Sequence, residues 1–209
     1  MRDARLLAWV LAQPEKSGAL LPGQWRAVLV MAQAEGLASA LAHRLEGQVC
    51  PDDVMLALIA VKREELATLT IAQLCSEADR LFVALDLDGG LKTLWQIDRA
   101  VQQSSEDANF WQDLLQQSRE RGVTLAVSRA MRLCHHLFQT PVEPYLAWQG
   151  RRGDLFYTGR LLARNGWGQD TAKLLRFAFY LRSHWIRMPP LMLARHLFTK
   201  WRKGHQPIR

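Results

Sequence analysis

Apolar side chains recur at helical spacing along almost the entire chain, and this pattern limits the fold more than any other feature. The first segment shows it in a stripe formed by Leu6, Leu7, Val10 and Leu11. Positions i, i+1, i+4 and i+5 share one face of an α-helix, so that face can pack against a core. No window alternates apolar and polar residues between hairpin turns, as a half-buried strand would. The sequence therefore predicts an all-α fold, a multi-helix bundle.

Glycine and proline residues divide this pattern into separate helices. A second helix is predicted after Pro22-Gly23. Further helices are predicted at residues 37–45, 52–85, 91–101, 106–121, 123–138, 155–164, 171–185 and 190–203. The longest is expected at about 52–85, because no Gly or Pro interrupts residues 54–85.

The residue types at two positions indicate where a helix begins. Pro51, Asp52 and Asp53 place a proline and two carboxylates where the unpaired N–H groups and the positive dipole end of a helix favour them. Ser104 and Asp107 resemble a capping box, which predicts that the helix after it begins at residue 106.

The chain is long enough to bury a hydrophobic core without disulfide bonds or bound metals. It has 209 residues, 49% of them hydrophobic, and a chain of this size buries roughly 70% of its unfolded surface. We expect an N-terminal helical region at 1–90 and a C-terminal helical region at 91–209, packed as one globular unit. The cysteines Cys50, Cys75 and Cys134 are odd in number and far apart, so they are interpreted as reduced core thiols.

Positive charge is concentrated in the last third of the chain. Residues 1–90 carry 8 basic and 12 acidic side chains (−4), residues 91–150 carry 6 of each, and residues 151–209 carry 13 basic and 2 acidic ones (+11). Such a bias indicates either an anionic partner at the C-terminal end or a solvated basic face.

The C-terminal helices combine this charge with apolar residues. The predicted anion-binding residues are Arg176, Arg182, Arg187, Arg195, Lys200, Arg202 and Lys203. The apolar side is expected from Trp185, Leu193, Leu197, Phe198 and Trp201. The pattern is typical of a surface that rests on an anionic membrane or on a partner protein. The alternative is that the apolar side chains pack into the bundle and the basic ones face water.

Nucleic acid is a less favoured partner, because the basic residues are interleaved with aromatic and aliphatic ones and no known nucleic-acid motif is present. No apolar run reaches the ~18 residues of a membrane-spanning helix, and the N-terminus lacks the pattern of a signal peptide. We therefore expect no transmembrane segment and a cytoplasmic location, peripheral to the inner membrane.

Asp86 and Asp88 form a compact pair of carboxylates, and Gly89-Gly90 follows them. On an extended segment two aspartates at i and i+2 point the same way and can share a divalent metal. The pair also looks like the first motif of haloacid-dehalogenase-type phosphatases, but helical patterning surrounds it where that motif needs a strand. The alternative is a polar helix end at a junction. His135 and His136 are adjacent on a predicted helix, about 100° apart, so they do not converge on one metal.

Several segments share features with a known protein family: residues 25–45 and 54–85, LKTLWQIDRAV at 91–101, FWQDLL at 110–115, residues 121–123, and FYLRSHWIRMPP at 179–190. Together these segments resemble an uncharacterised bacterial nucleotidyltransferase family with a polymerase-β-type catalytic core. The last stretch is similar to the end of members associated with exopolysaccharide export. The family's core has a lysine-glycine segment, an arginine and a metal-binding Asp-x-Asp on a mixed sheet.

The chain departs from this family where the core should be, since only five residues separate Leu85 from Leu91. The resemblance thus implies a truncated or degenerate member without transferase activity, for which no cofactor is expected. The alternative is an active nucleotidyltransferase that binds Mg²⁺ through Asp86 and Asp88 and uses a nucleoside triphosphate. A separate chain that supplies the missing core is a third reading, and the oligomeric state is left open.

Overall fold

The chain folds as an all-α multi-helix bundle, which confirms the predicted fold class. The computed structural model describes residues 3–61, 69–83, 87, 89–144, 153–165, 167–169, 171, 174, 177–179 and 181. Its α-helices are α1 (Asp3–Ala12), α2 (Pro22–Ala34), α3 (Ala38–Arg44), α4 (Asp52–Ile59), α5 (Ile71–Val83), α6 (Gly90–Ser104), α7 (Phe110–Glu120), α8 (Thr124–Phe138) and α9 (Asp154–Leu161). A 3₁₀ helix, Pro14–Ala19, follows α1. These described residues contain no β-strand.

The helices α5, α6 and α8 pack on one another and form the centre of the bundle. Helix α1 packs against α8, α2 and α3, and α7 packs against α5. The apolar stripe of α1 is fully buried, with Leu7, Val10 and Leu11 at 0% exposure. One continuous apolar cluster contains side chains from Ala4 to Phe179, so both predicted regions contribute to it. The division at residue 90 remains a prediction.

The single long helix predicted at 52–85 is wrong. Helix α4 ends at Ile59, Leu69 and Thr70 are not helical, and α5 starts at Ile71. Thr70 and Gln73 cap this start reciprocally. The Thr70 N–H donates to Gln73 Oε1 at 2.9 Å, and the Gln73 N–H donates to Thr70 Oγ1 at 3.3 Å. Such a capping box satisfies two of the N–H groups that a helix start leaves without partners.

The predicted start of the helix at 106 is also wrong, because α6 continues to Ser104 and α7 begins only at Phe110. Asp107 stabilises the turn between them, where its Oδ1 accepts the Asn109 N–H at 3.0 Å. The other predicted helices within the described residues agree with the structure to within a few residues. Of the helix predicted at 171–185 only positions 171, 174, 177–179 and 181 are described, and the one at 190–203 lies outside the described residues.

A buried ion pair attaches the chain after α9 to the N-terminal helices. Arg164 Nε lies 2.6 Å from Glu35 Oε1 at the end of α2, and the Glu35 side chain is only 6% exposed. Arg164 Nη1 also donates to the carbonyl of Gly168 at 3.0 Å. Gly168 lies against α2 so closely that an added Cβ would be 3.2 Å from the Cβ of Ala34. Arg164 and Gly168 are therefore held against the end of α2.

All three cysteines are free thiols, as predicted. Cys75 and Cys134 are fully buried, while Cys50 is half-buried beside the core. None of the helices in the described part of the chain is both long and apolar enough to cross a membrane.

Candidate functional site

The site residues that the sequence predicts lie outside the described residues. This holds for Asp86 and Asp88, and for the anion-binding residues Arg176, Arg182, Arg187, Arg195, Lys200, Arg202 and Lys203. The metal site and the anion-binding surface therefore stay predictions. In the described part of the chain, no group of three His, Cys, Asp or Glu residues is arranged to hold a metal ion.

A groove between the C-terminal half of α8 and the start of α9 brings together several polar side chains, of which the sequence singles out only His135 and His136. Its volume is about 340 Å³. Among the described residues it is lined by Arg132, Leu133, His135, His136, Asp154, Leu155 and Thr158. We refer to it as the α8–α9 groove. Its volume is at the lower end of the range for small-molecule sites, which is about 300–1,000 Å³.

Two arginines of α8 share one carboxylate at the edge of this groove. Arg132 binds Asp154 through two bonds, with Nε 2.5 Å from Oδ2 and Nη2 3.1 Å from Oδ1. Arg129 Nε lies 3.5 Å from the same Oδ1. Its guanidinium also stacks 4.5 Å from the ring centre of Tyr157 and 5.2 Å from that of Phe82. Two guanidinium groups therefore approach one carboxylate, and the Arg129 and Arg132 side chains are only 20% and 9% exposed.

His135 has a defined orientation within the groove. Its Nδ1 lies 2.9 Å from the carbonyl oxygen of Thr140. A carbonyl oxygen only accepts hydrogen bonds, so Nδ1 carries the proton and Nε2 of the neutral ring is the acceptor. His136 is exposed beside it. The prediction that the two rings do not converge on one metal stays a prediction.

Asp98 anchors the segment that orients His135. This side chain is fully buried, and its Oδ1 accepts bonds from Thr140 Oγ1 at 2.6 Å and from Gln102 Nε2 at 2.8 Å. Its Oδ2 accepts from Arg99 Nη2 at 2.9 Å. A buried carboxylate costs little when it is fully hydrogen-bonded and paired with a charge. The arrangement therefore holds the turn after α8 against α6 and has a structural role.

Burial and the charge of Asp98 also shift the pKa values of two neighbouring side chains. Burial, and then the charge of Asp98, raise the pKa of the Cys134 thiol well above its usual value. Burial lowers the pKa of the Arg44 guanidinium, the nearby Arg99 lowers it further, and Asp98 opposes both. Arg44 donates to the carbonyl of Leu11 at 3.0 Å and so caps the end of α1.

Large apolar side chains are exposed next to the α8–α9 groove. Leu155 and Phe156, both on α9, are 87% and 40% exposed. The Phe156 ring stacks on Phe179 with 4.9 Å between ring centres, so Phe179 lies beside α9. Leu174 and Phe177, which are close to Phe179 in the sequence, are 86% and 53% exposed. We use the name C-terminal apolar patch for the exposed side chains of Leu155, Phe156, Leu174 and Phe177.

Two further surface features lie elsewhere. Helix α4 exposes the apolar side chains of Met55, Leu56 and Ile59 in the acidic part of the chain. A second groove of about 520 Å³ runs along α5 beside Arg121, with the buried Cys75 at its base. Burial raises the pKa of Cys75, and Arg121 partly opposes this, so the thiol is a weak nucleophile.

Comparison with protein-family models, with curated proteins and with solved structures gives no match to this chain. The features of the chain that bear on its function are the groove, the C-terminal apolar patch and the distribution of charge.

Proposed function

We propose that the protein is a helical binding module that rests on an anionic membrane surface through its C-terminal third. The observation that carries the proposal is the C-terminal apolar patch, because its four exposed side chains lie within the part of the chain that has a net charge of +11. A large apolar patch that remains exposed is a mark of an interaction surface.

Apolar and basic groups act together at such a surface. Apolar side chains insert into the boundary between headgroups and acyl chains, and basic ones are attracted to anionic lipids. Each Lys or Arg near the surface contributes about 1 kcal/mol. A few of the 13 basic residues in 151–209 would thus hold the protein weakly and reversibly. Trp167 is 77% exposed in the same part of the chain and suits the headgroup level.

Sedimentation with vesicles tests the proposal. We expect strong binding to phosphatidylglycerol vesicles at low salt, weaker binding at high salt because the attraction is screened, and little binding to phosphatidylcholine vesicles. Deletion of residues 189–209 should reduce binding, and so should the double substitution Leu174→Ser with Phe177→Ser.

The matched control is Leu56→Ser with Ile59→Ser, which removes two equally exposed apolar side chains from α4 in the acidic part of the chain. This variant should bind like the unchanged protein. Equal binding to neutral and anionic vesicles, or no binding to either, would refute the membrane proposal. Fluorescence anisotropy with duplex and single-stranded DNA at low salt separates a general affinity for polyanions from an affinity for lipid.

The resemblance to nucleotidyltransferases supports a second proposal, that the chain is a truncated or degenerate relative without transferase activity. A helix lies on each side of Asp86 and Asp88, since α5 ends at Val83 and α6 begins at Gly90. The family's Asp-x-Asp instead lies on a mixed sheet.

Calorimetry with ATP and Mg²⁺ tests this second proposal. We expect no magnesium-dependent heat of binding. Binding that requires Mg²⁺ and disappears in Asp88→Ala would favour the alternative, an active nucleotidyltransferase that uses Asp86 and Asp88. Asp79→Ala, a half-buried aspartate on α5, is the control for a change of charge alone.

A further inference from the structure

Helix α4 is apolar on nearly every side, yet the bundle covers only one side of it. After Asp52 and Asp53 at its start, all of its residues are apolar. The helix packs against α2 and α3, and within α4 only Val54 is fully buried. A helix that is hydrophobic all round is normally buried all round. The exposed side of α4 therefore lacks the cover that its sequence predicts.

The exposed side of α4 forms a single face. Met55, Leu56 and Ile59 are 45%, 69% and 73% exposed, and the carboxylate of Asp52 is exposed as well. These four residues occupy positions i, i+3, i+4 and i+7, which lie on one face of an α-helix. We call them the α4 face. It presents three large apolar side chains with a negative charge at one end.

The chain around the α4 face is acidic. Residues 45–61 contain Glu46, Asp52 and Asp53 and no Lys or Arg, although the whole chain has a net charge of +7. Asp52 and Asp53 are exposed, and neither forms an ion pair within the described part of the chain. Anionic lipids attract basic side chains and repel these carboxylates. The α4 face thus suits a ligand that differs from the one proposed for the C-terminal apolar patch.

We propose that the α4 face docks a basic amphipathic helix of a partner protein. Such a helix binds an apolar surface through its own apolar side chains at i, i+3, i+4 and i+7. Its flanking lysines or arginines would meet Asp52 and Asp53, and this match of charge selects the partner. The contact is small, because three exposed side chains of an eight-residue helix provide it. We therefore expect weak and transient binding.

A second copy of this chain is the competing occupant, because its C-terminal third is also basic and exposes apolar side chains. In that contact the α4 face of one copy would meet the C-terminal apolar patch of the next. Such a head-to-tail contact leaves one surface of each kind free and continues into rings or open filaments. It would also withdraw the patch from the membrane. A separate partner protein leaves both surfaces in use.

Fluorescence anisotropy with a labelled synthetic peptide tests the inference. The probe has about 15 residues, with leucine at i, i+3, i+4 and i+7 and lysine elsewhere, so that it can form a basic amphipathic helix. It should bind the full chain, and Leu56→Ser with Ile59→Ser should lower its affinity about tenfold or more. Leu174→Ser with Phe177→Ser, in the C-terminal apolar patch, should have no effect. General charge attraction cannot explain such binding, because the chain itself is basic.

Two further comparisons separate the role of charge from that of apolar contact. Asp52→Asn with Asp53→Asn should weaken binding of the peptide. The control Glu106→Gln with Asp113→Asn neutralises two exposed carboxylates outside α4 and should not. A peptide with serine in place of leucine should bind much more weakly. Far-ultraviolet circular dichroism confirms that each variant is folded.

The inference is wrong if the basic peptide does not bind, or if it binds the Leu56→Ser, Ile59→Ser variant equally well. Sedimentation velocity of the chain alone should show a monomer. Self-association that the same two substitutions abolish would mean that a second copy occupies the α4 face, and would overturn the assignment to a partner protein. The membrane proposal fails separately. If the unchanged protein binds no vesicles but binds the peptide through α4, only the membrane proposal is wrong.

Discussion

At the scale of single residues, burial decides which reactive groups take part in chemistry. Asp98 is fully buried with a complete set of hydrogen-bond donors, so it fixes the turn after α8 instead of meeting a ligand. Asp154 accepts bonds in a similar way, but at the edge of a groove that is open to solvent. The same side-chain type thus has a structural role at one position and contributes to a candidate site at the other.

The thiols provide a measurable consequence of burial. A raised pKa means less thiolate at about pH 8, and the thiolate is the form that attacks a disulfide reagent. Burial raises the pKa of all three thiols, most strongly that of Cys134. Cys75 and Cys134 are in addition sterically inaccessible. We expect Ellman's reagent to modify one of the three cysteines of the native protein, and all three after unfolding in guanidinium chloride.

The variant Cys50→Ser identifies the reactive thiol, since it should abolish the modification of the native protein. Rapid modification of all three thiols without denaturant would contradict the buried positions of Cys75 and Cys134.

The candidate site was beyond sequence reasoning for a physical reason. Arg132 and Asp154 are 22 positions apart, and His135 is oriented through Thr140 and Asp98 on another helix. No local spacing rule describes a groove that forms between two separately folded helices. Two local signals were present: the adjacent His135 and His136, and the spacing of Arg129 and Arg132, which places both arginines on one face of α8.

At the scale of helices, local sequence predicted those ends that a glycine or proline marks and missed two starts that neither residue marks, those of α5 and α7. Gly122 has a φ of +69° and ends α7 where expected. The interruption between α4 and α5 was missed because residues 54–85 contain no Gly or Pro. Thr70-x-x-Gln73 was nevertheless a readable signal, since this spacing forms the capping box at the start of α5.

The contribution of Gly122 to the stability of the protein can be measured. Gly122→Ala should destabilise the protein by about 1 kcal/mol, because its backbone is in the left-handed region that a residue with a Cβ adopts at a cost. The added Cβ has no atom within 4 Å, so the effect belongs to the backbone alone. Unfolding in urea, followed by the helical signal in circular dichroism, measures the change.

Gly23→Ala is the matched control, since its Cβ also has open space but its backbone is helical within α2. This substitution should stabilise the protein by about 0.4–1 kcal/mol. Equal effects of the two substitutions would mean that the left-handed conformation of Gly122 contributes nothing to stability.

At the scale of the whole molecule, one core joins regions of opposite charge. The N-terminal 90 residues have a net charge of −4 and the last 59 of +11. The Glu35–Arg164 pair and the close approach of Gly168 to α2 join described residues of the two regions. The composition predicted this charge asymmetry, but not these contacts. Helix α4 and the C-terminal apolar patch thus lie in parts of the chain with opposite net charge and suit partners of different charge.

The packing of α1 against α8 affects how the chain folds during synthesis. Helix α1 ends at Ala12 and α8 starts at Thr124, a separation of 112 residues. A ribosome adds about 5–20 residues per second, so roughly 6–22 s pass before α8 is made. During that time α2 and α3 can cover only part of the apolar stripe on α1. The burial of the first helix is therefore completed late. Until then its leucines are exposed and can bind a chaperone or another nascent chain.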